Sequence, residues 1–310
     1  MENKVCVLMS TYNGSEYISQ QIDSIFGQNE VKILLMVRDD GSKDNTVDII
    51  KARQEYQEGK IILKAESNIG VTRSFYELIR SAYKDIKEYE YFAFADQDDV
   101  WLPEKLSIAI NFISKYRSDV PNLYYSNLTL VDKNLNYLNE RFSKGYVTNT
   151  KQQIMAEICT YGCTCVFNKA TLMEMAKLND EELEYHDNWA LWVASFLGNC
   201  FYDENSYILY RQHGNNTSGQ VQRGKNYLYT QLKRLTKLKN MTPCYELKAK
   251  LMLKYYDERL CKADRENLWL LAHYKENFFL KLKLLFTSRI KSGHIVRDLG
   301  RKVRIIINKA

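Results

Sequence analysis

The chain has 310 residues, 45% of them hydrophobic and 13% aromatic, which is enough apolar material for a sizeable core and excludes a disordered or fibrous protein. No run approaches the roughly 18–20 apolar residues of a membrane-spanning helix, and seven scattered cysteines without a signal peptide fit a reducing cytosol. The net charge of +6 hides a division: residues 1–219 carry 22 Lys and Arg against 31 Asp and Glu, and residues 220–310 carry 22 against 7, so the basic tail is suited to an anionic partner.

The first apolar run, Val5 to Met9, predicts a strand ending in the turn-rich loop Ser10-Thr11-Tyr12-Asn13-Gly14. Tyr17, Ile18, Ile22, Ile25 and Phe26 then recur at helical spacing. A second strand, Ile33 to Val37, ends in Arg38-Asp39-Asp40-Gly41-Ser42, and a helix begins near Asp44. A third, Ile61 to Lys64, leads through Asn68-Ile69-Gly70 into an amphipathic helix carrying Phe75, Leu78 and Ile79. Strands that alternate with helices and are apolar on both faces predict a parallel sheet covered on both sides. Ligands bind such sheets at the carboxyl ends of the strands, so the polar loops should converge on one crevice.

The fourth strand carries the most informative segment, Phe92-Ala93-Phe94-Ala95-Asp96-Gln97-Asp98-Asp99-Val100-Trp101. Three carboxylates within four positions at a strand end repel one another unless something compensates. A hard divalent cation, Mg²⁺ or Mn²⁺, does so with oxygen ligands from a short loop; the plainer alternative is a solvated acidic turn. Pro103 then suits the first turn of a helix. An EF-hand is excluded because its Gly and distal Glu are missing. The glycine-rich dinucleotide fingerprint and the Walker A sequence are also absent, so phosphate must be held by a metal and side chains.

Further along, Leu123 to Val131 reads as a strand, Tyr161 to Asn168 as a loop into another, and Tyr185 to Ala194 as a segment that starts polar and becomes helical. Ser206 to His213 is a strand ending in a cation and an imidazole, followed by a mobile-looking loop, 214–219. Cys159, Cys163 and Cys165 lack zinc-knuckle spacing and read as small buried residues. From about residue 225 only helices are expected. Leu228, Leu232, Leu235 and Leu238 form one stripe. A long helix is expected from a cap at Asp264 through Leu268, Leu271, Phe278, Phe279, Leu282 and Leu285. A last one, 294–308, sets Val296, Leu299, Val303, Ile306 and Ile307 against Arg297, Arg301, Lys302 and Arg304. Such stripes suit either packing on the body or a membrane surface.

In order along the chain, Ser10-Thr11-Tyr12-Asn13, Asp39-Asp40-Gly41-Ser42, Asn68-Ile69-Gly70, Asp96-Gln97-Asp98-Asp99, Gly162-Cys163-Thr164, His186-Asp187 and Arg211-Gln212-His213 resemble the family 2 glycosyltransferases. The resemblance covers roughly residues 3–219. Asp-Gln-Asp-Asp before Val-Trp, with Tyr-Arg-Gln-His-Gly-Asn-Asn late in the chain, is most similar to bacterial rhamnosyltransferases of cell-wall and O-antigen polysaccharide assembly. It implies the GT-A fold, an α/β nucleotide-sugar-binding sandwich over residues 1–219, with a helical basic extension over 220–310.

The resemblance also implies roles. Thr11, Asn13, Asp40 and Asn68 would line the nucleotide pocket, Asp40 accepting the base's imide N–H. Asp98 would bind Mn²⁺ or Mg²⁺ with His213 as a further ligand, while Asp96 contacts ribose or holds a metal-bound water and Arg211 contacts phosphate. Asp187 matches the general base, with His186 the alternative; Cys163, Thr164, His186 and Trp189 fall on the acceptor side. Asp39 reads instead as a buried cap of the next helix. One base with single displacement inverts the anomeric centre, and a cation stabilises the leaving diphosphate most in the transition state.

The expected partners are a nucleotide-sugar, with dTDP-L-rhamnose the best guess, a lipid-linked saccharide and an anionic membrane surface at the cytoplasmic face. Nucleic acid is not expected, since the tail lacks zinc, homeodomain and RNA-recognition signatures; a homo-oligomer is left open. The rival functions are a metal-dependent nucleotidyltransferase or phosphohydrolase, and a non-enzymatic binder of anionic surfaces.

Overall fold

The computed structural model describes residues 2–213 and 244–309. The 214–219 loop, the stripe of Leu228, Leu232, Leu235 and Leu238, and the domain boundary expected at 219/220 lie outside the described residues. Two compact units are present, 2–147 with 160–213, and 148–159 with the described part of the tail.

The first unit is a nine-stranded sheet: β1 (Asn3–Thr11), β2 (Val31–Asp39), β3 (Ile61–Ala65), β4 (Tyr91–Ala95), β5 (Val100–Trp101), β6 (Asn122–Val131), β7 (Tyr137–Glu140), β8 (Val166–Asn168) and β9 (Asn199–Arg211). The order is β3-β2-β1-β4-β8-β6-β9-β5, with β7 on β6. The parallel expectation holds for β3-β2-β1-β4. Beyond β4 the sheet turns mixed, because β8 runs antiparallel to both β4 and β6.

Helices α1 (Ile18–Phe26), α2 (Thr46–Lys51), α3 (Gln54–Gln57), α4 (Val71–Asp85) and α5 (Lys105–Ile113) follow the first strands. Val5 to Met9 are fully buried, as two covered faces demand. Register then builds the site. Thr11 pairs with Asp39, Asp39 with Ala65, and Met9 with Ala95, so the four polar loops leave the sheet at one edge. The acidic segment does not continue one strand: β4 stops at Ala95, and Val100 and Trp101 pair instead with Leu209 and Ile208 of β9. The acids are thereby pinned at both ends.

Helices α7 (Lys169–Met175) and α8 (His186–Leu197) complete the first unit. The second unit comprises α6 (Lys151–Ile154), α9 (Cys244–Tyr256), α10 (Lys262–His273), α11 (Phe278–Phe286) and α12 (Ile295–Ile306), with no strand among the described residues. The long helix expected from Asp264 is two helices. Asn277 accepts the Leu280 N–H at 2.9 Å and starts α11 afresh. Asp264 lies in the first turn of α10 and pairs with Lys151 at 2.5 Å.

Candidate active site

The β1, β2 and β3 loops are tied together by side chains. Thr11 is buried and its hydroxyl donates to Asp39 at 3.0 Å. Asp39 is buried as expected, but it closes its own turn by accepting the Ser42 amide at 2.9 Å rather than capping α2. Asp44 does the local work instead, accepting the Thr46 N–H at 3.1 Å and the Ser15 N–H at 3.0 Å. Burial opposes ionisation there, yet these hydrogen bonds hold Asp44 down to about 2.

Asp40 is buried beside the equally buried Arg38, which pairs with it. Its two oxygens also accept the Ile69 and Gly70 amides, each at 2.9 Å, so it fastens the β3–α4 loop to the end of β2. Gly41 has φ +81°, and a Cβ there would lie 3.1 Å from the Asn68 amide nitrogen, a close approach that suits glycine. Asn13 and Asn68 are exposed; Asn13, at φ +49°, accepts the Lys43 N–H at 2.8 Å. Gln97 bridges the β1 and β4 loops by exchanging hydrogen bonds with the Tyr12 backbone at 2.8 and 3.1 Å.

The acids divide by environment. Asp98 reaches His213, Oδ2 to Nε2, at 2.6 Å, and both side chains are partly exposed. Asp99 is fully buried and accepts the Arg211 N–H at 3.1 Å through Oδ1, while Oδ2 has no hydrogen-bond partner among the described residues. Burial, then the charges of Asp98 and Asp96, raise Asp99 well above the usual carboxylate range. Asp96 keeps some exposure; desolvation, then Asp98 and Asp187, push it up to about 7. The Cys163 thiol is buried against Asp96 and Asp99, and desolvation, then the charges of those acids, raise it, so it stays protonated.

Arg211 departs from the expected phosphate contact. It is 2% exposed. Its guanidinium donates to the backbone oxygens of Asp98 (2.8 Å) and Lys133 (2.6 Å) and to Gln20 Oε1 (2.7 Å), and lies over the Tyr17 ring at 4.5 Å. It positions the Asp98 loop. Lys105, which the sequence reading passed over, is buried with its ammonium 3.7 Å above the Trp101 ring. Desolvation lowers it to about 8, partly offset by Cys163, Cys165 and Asp99.

The short turn Gly162–Thr164, which carries Cys163, also abuts the start of α8: a Cβ at Gly162 would meet His186 Nε2 at 2.8 Å and Asp187 Cβ at 3.6 Å. Asp187 is partly exposed, accepts the Asn188 N–H at 2.7 Å, and is close enough to raise Asp96. His186 corrects the alternative base. It is stacked on Phe75 at 3.8 Å and edge-on to Phe94 at 4.5 Å. Its nitrogens have no partner among the described residues, and burial lowers it to about 4 despite Asp187. Thr164 and Trp189 are fully buried and Cys163 nearly so; Thr164 donates to the Tyr161 carbonyl at 2.8 Å. These three form the floor and core, not an acceptor-contacting surface.

The donor set fits a hard divalent cation. One ligand atom each from Asp96, Asp99 and Cys163 lie within 4.8 Å of one another, Asp99 Oδ2 has no hydrogen-bond partner among the described residues, and the Asp98–His213 pair adds an oxygen and an imidazole nitrogen. The carboxylate and imidazole atoms of that set, rather than the protonated thiol, suit such a cation.

A mixed sheet with converging nucleotide-side loops, an acid cluster and a separate carboxylate at a helix start is the arrangement of a GT-A glycosyltransferase. Residues 6–175 match the family described as Glycosyl transferase family 2, and the chain belongs to that family. A dTDP-rhamnosyl transferase, RfbG of Shigella flexneri, is 34% identical over 227 residues, covering 68% of this chain and 73% of the relative. Among solved structures, TarS 1-349 of S. aureus superposes with a TM-score of 0.58 at 16% identity over 98% of this chain and 81% of that one. The mannosyltransferase PcManGT of Pyrobaculum calidifontis, in complex with GDP-Man and Mn²⁺, gives 0.55 at 14% identity over 98% and 74%. No helix among the described residues is long and apolar enough to cross a membrane.

Most expected site residues come from the loops that the strand register gathers. The supporting residues Arg38, Gln97, Lys105 and Gln20 were missed. Arg38 left a signal, a charge at the end of an apolar run beside Asp40; Gln20, 191 positions from its partner Arg211, left none.

Proposed function

We propose that this enzyme transfers L-rhamnose from dTDP-L-rhamnose to a hydroxyl of a lipid-linked saccharide at the cytoplasmic face of the membrane, with inversion at the anomeric carbon. The observation that carries the reading is that two sets of acids meet at one crevice. Asp187 stands at the start of α8 against the Gly162 turn, and the Asp98–His213 pair lies at the ends of β4 and β9. One group is then free to act on the acceptor while the other serves the donor. The 34% identical relative, by its printed name a dTDP-rhamnosyl transferase, supports the donor assignment.

In this reading Asn188 N–H holds Asp187 Oδ1, and the carboxylate takes the acceptor hydroxyl's proton as that oxygen attacks the anomeric carbon. The bond to the diphosphate breaks and dTDP leaves. Asp98 and His213 would hold Mn²⁺ or Mg²⁺, which when bound stabilises charge on the leaving diphosphate. Asp96 faces the ribose, and Asn13 and Asn68, exposed at the nucleotide loops, contact the base. Thr11, Asp39 and Asp40 keep those loops in place. Catalysis then lies in positioning and in charge stabilised more in the transition state than before it.

The test is a donor panel of dTDP-L-rhamnose, UDP-GlcNAc, UDP-glucose and GDP-mannose with Mn²⁺ or Mg²⁺, scored by nucleotide release and thermal stabilisation. Release and stabilisation by dTDP-L-rhamnose are expected. Turnover of another donor in its place overturns the assignment.

A further inference from the structure

Helices α11 and α12 turn large apolar side chains to solvent. An amphipathic helix in a folded unit turns its apolar stripe inward and its charges to water. In α12 the inward side holds Arg301, 5% exposed, whose guanidinium donates to the Leu284 carbonyl of α11 at 3.3 Å. Ile305 is the only buried apolar residue beside it in the helix. The apolar residues Ile295, Val296, Leu299 and Ile306 recur on one face at helical spacing and are 88%, 54%, 63% and 58% exposed. In α11 the inward side is apolar, with Leu284 buried, but Phe278, Phe279 and Phe286 share the outward face and are 67%, 80% and 77% exposed. The Lys302 ammonium lies 6.0 Å from the centre of the Phe286 ring, so the two outward stripes border each other.

The charge along these helices is mostly positive, although Arg297 and Arg289 pair with Glu157 and Glu266. Residues 278–309 contain nine Lys and Arg (Lys281, Lys283, Arg289, Lys291, Arg297, Arg301, Lys302, Arg304 and Lys309) and one acid, Asp298. A solvent-facing patch of phenylalanines and aliphatics this wide is rare on a monomer without a partner. Apolar side chains ringed by Lys and Arg match an anionic lipid surface, where the rings and aliphatics enter the headgroup boundary and the cations meet lipid phosphates. A basic rim would repel its own kind across an interface between two copies, which disfavours self-association.

We infer that α11 and α12 together form a membrane-docking surface, with Phe278, Phe279, Phe286, Ile295, Leu299 and Ile306 as the inserting residues and anionic phospholipid as the partner. This extends the proposed function, which sets a lipid-linked acceptor at the membrane. Its test needs neither donor nor acceptor, so the two readings fail separately.

The full chain is sedimented with vesicles of phosphatidylglycerol and phosphatidylcholine, and with phosphatidylcholine alone. Partition onto the anionic vesicles is expected, roughly tenfold or more above the neutral ones and lost at high salt. The double variant F279E/L299E should lose roughly tenfold or more of that partition, with unchanged Tm, mass and turnover of a soluble acceptor. Should that variant fold poorly, K281E/K283E should lose the anionic preference alone, since neither lysine is buried. Three results overturn the inference. They are absence of wild-type binding to anionic vesicles, binding that survives both variants, and a fall in mass for F279E/L299E, which would make the stripe a contact between copies.

Discussion

Replacing Arg211 separates two accounts of the same residue. If it contacts the donor diphosphate, Arg211→Ala weakens donor binding and leaves the fold alone. The structure gives it other work: three charged hydrogen bonds, at 2.6, 2.7 and 2.8 Å, to two backbone oxygens and Gln20, and a ring contact at 4.5 Å. Truncation orphans the Asp98 and Lys133 carbonyls, at about 1–3 kcal/mol each, and removes a cation–π contact worth about 1–2 kcal/mol at a buried site. Gln20 is exposed and can turn to water. The expected loss is therefore about 3–8 kcal/mol, a fall in Tm on the order of 10 °C for a chain of this size. Arg211→Lys keeps the charge but cannot span three oxygens, so it should fall between. Differential scanning fluorimetry and donor titration decide the matter. An Arg211→Ala protein with wild-type Tm and weakened dTDP binding refutes the positioning account and restores the phosphate contact.

Asp187→Asn should bind donor as the wild type does and lose about 10²–10⁴ in turnover; near-normal turnover would remove Asp187 from the base role. EDTA should abolish transfer, with activity restored by Mn²⁺ or Mg²⁺, and Asp98→Ala should lose most activity at nearly unchanged Tm; full activity after chelation would overturn the metal reading. His186 supplies a pH signature. Its folded pKa, about 4, lies below the ordinary 6.5, so the unfolded chain binds the extra proton between those values. Its contribution is intact above pH 6.5 and is lost as pH falls toward 4, at a limiting slope of about 1.4 kcal/mol per pH unit. His186→Gln should flatten that part of a denaturation-versus-pH curve, while the acid limb of turnover stays; loss of that limb would return His186 to the chemistry.

The parallel half of the sheet was legible because two-sided burial writes itself as unbroken apolar runs, such as Val5 to Met9 and Phe92 to Ala95. The mixed half was not. β8 is only Val166–Asn168, and its direction depends on pairing with β4 and β6 at long range. The 262–286 region shows a continuous apolar period, and only the Asn277 side chain, turned back on Leu280 N–H, breaks it. The site motifs were visible as residue types, but their duties were not. Asp40 and Arg211 read as ligand contacts from sequence, and the structure gives their polar atoms loop and backbone partners.

The same point governs the acid loop. Asp96, Asp98 and Asp99 are alike in sequence and unlike in the fold, since the loop is clamped between β4 and the two-residue β5. The clamp turns Asp99 fully inward, where it takes the Arg211 amide and is driven toward its neutral form. Asp98 is turned the other way, to His213. Asp96 remains between them at the crevice, raised by its neighbours but partly solvated. Three ionised carboxylates in so small a volume would repel one another strongly. Burying one where its neutral form is favoured and pairing another with an imidazole leaves a single carboxylate under that strain. A cation would relieve it most at Asp96 and Asp98, which are the two acids that keep a path to solvent.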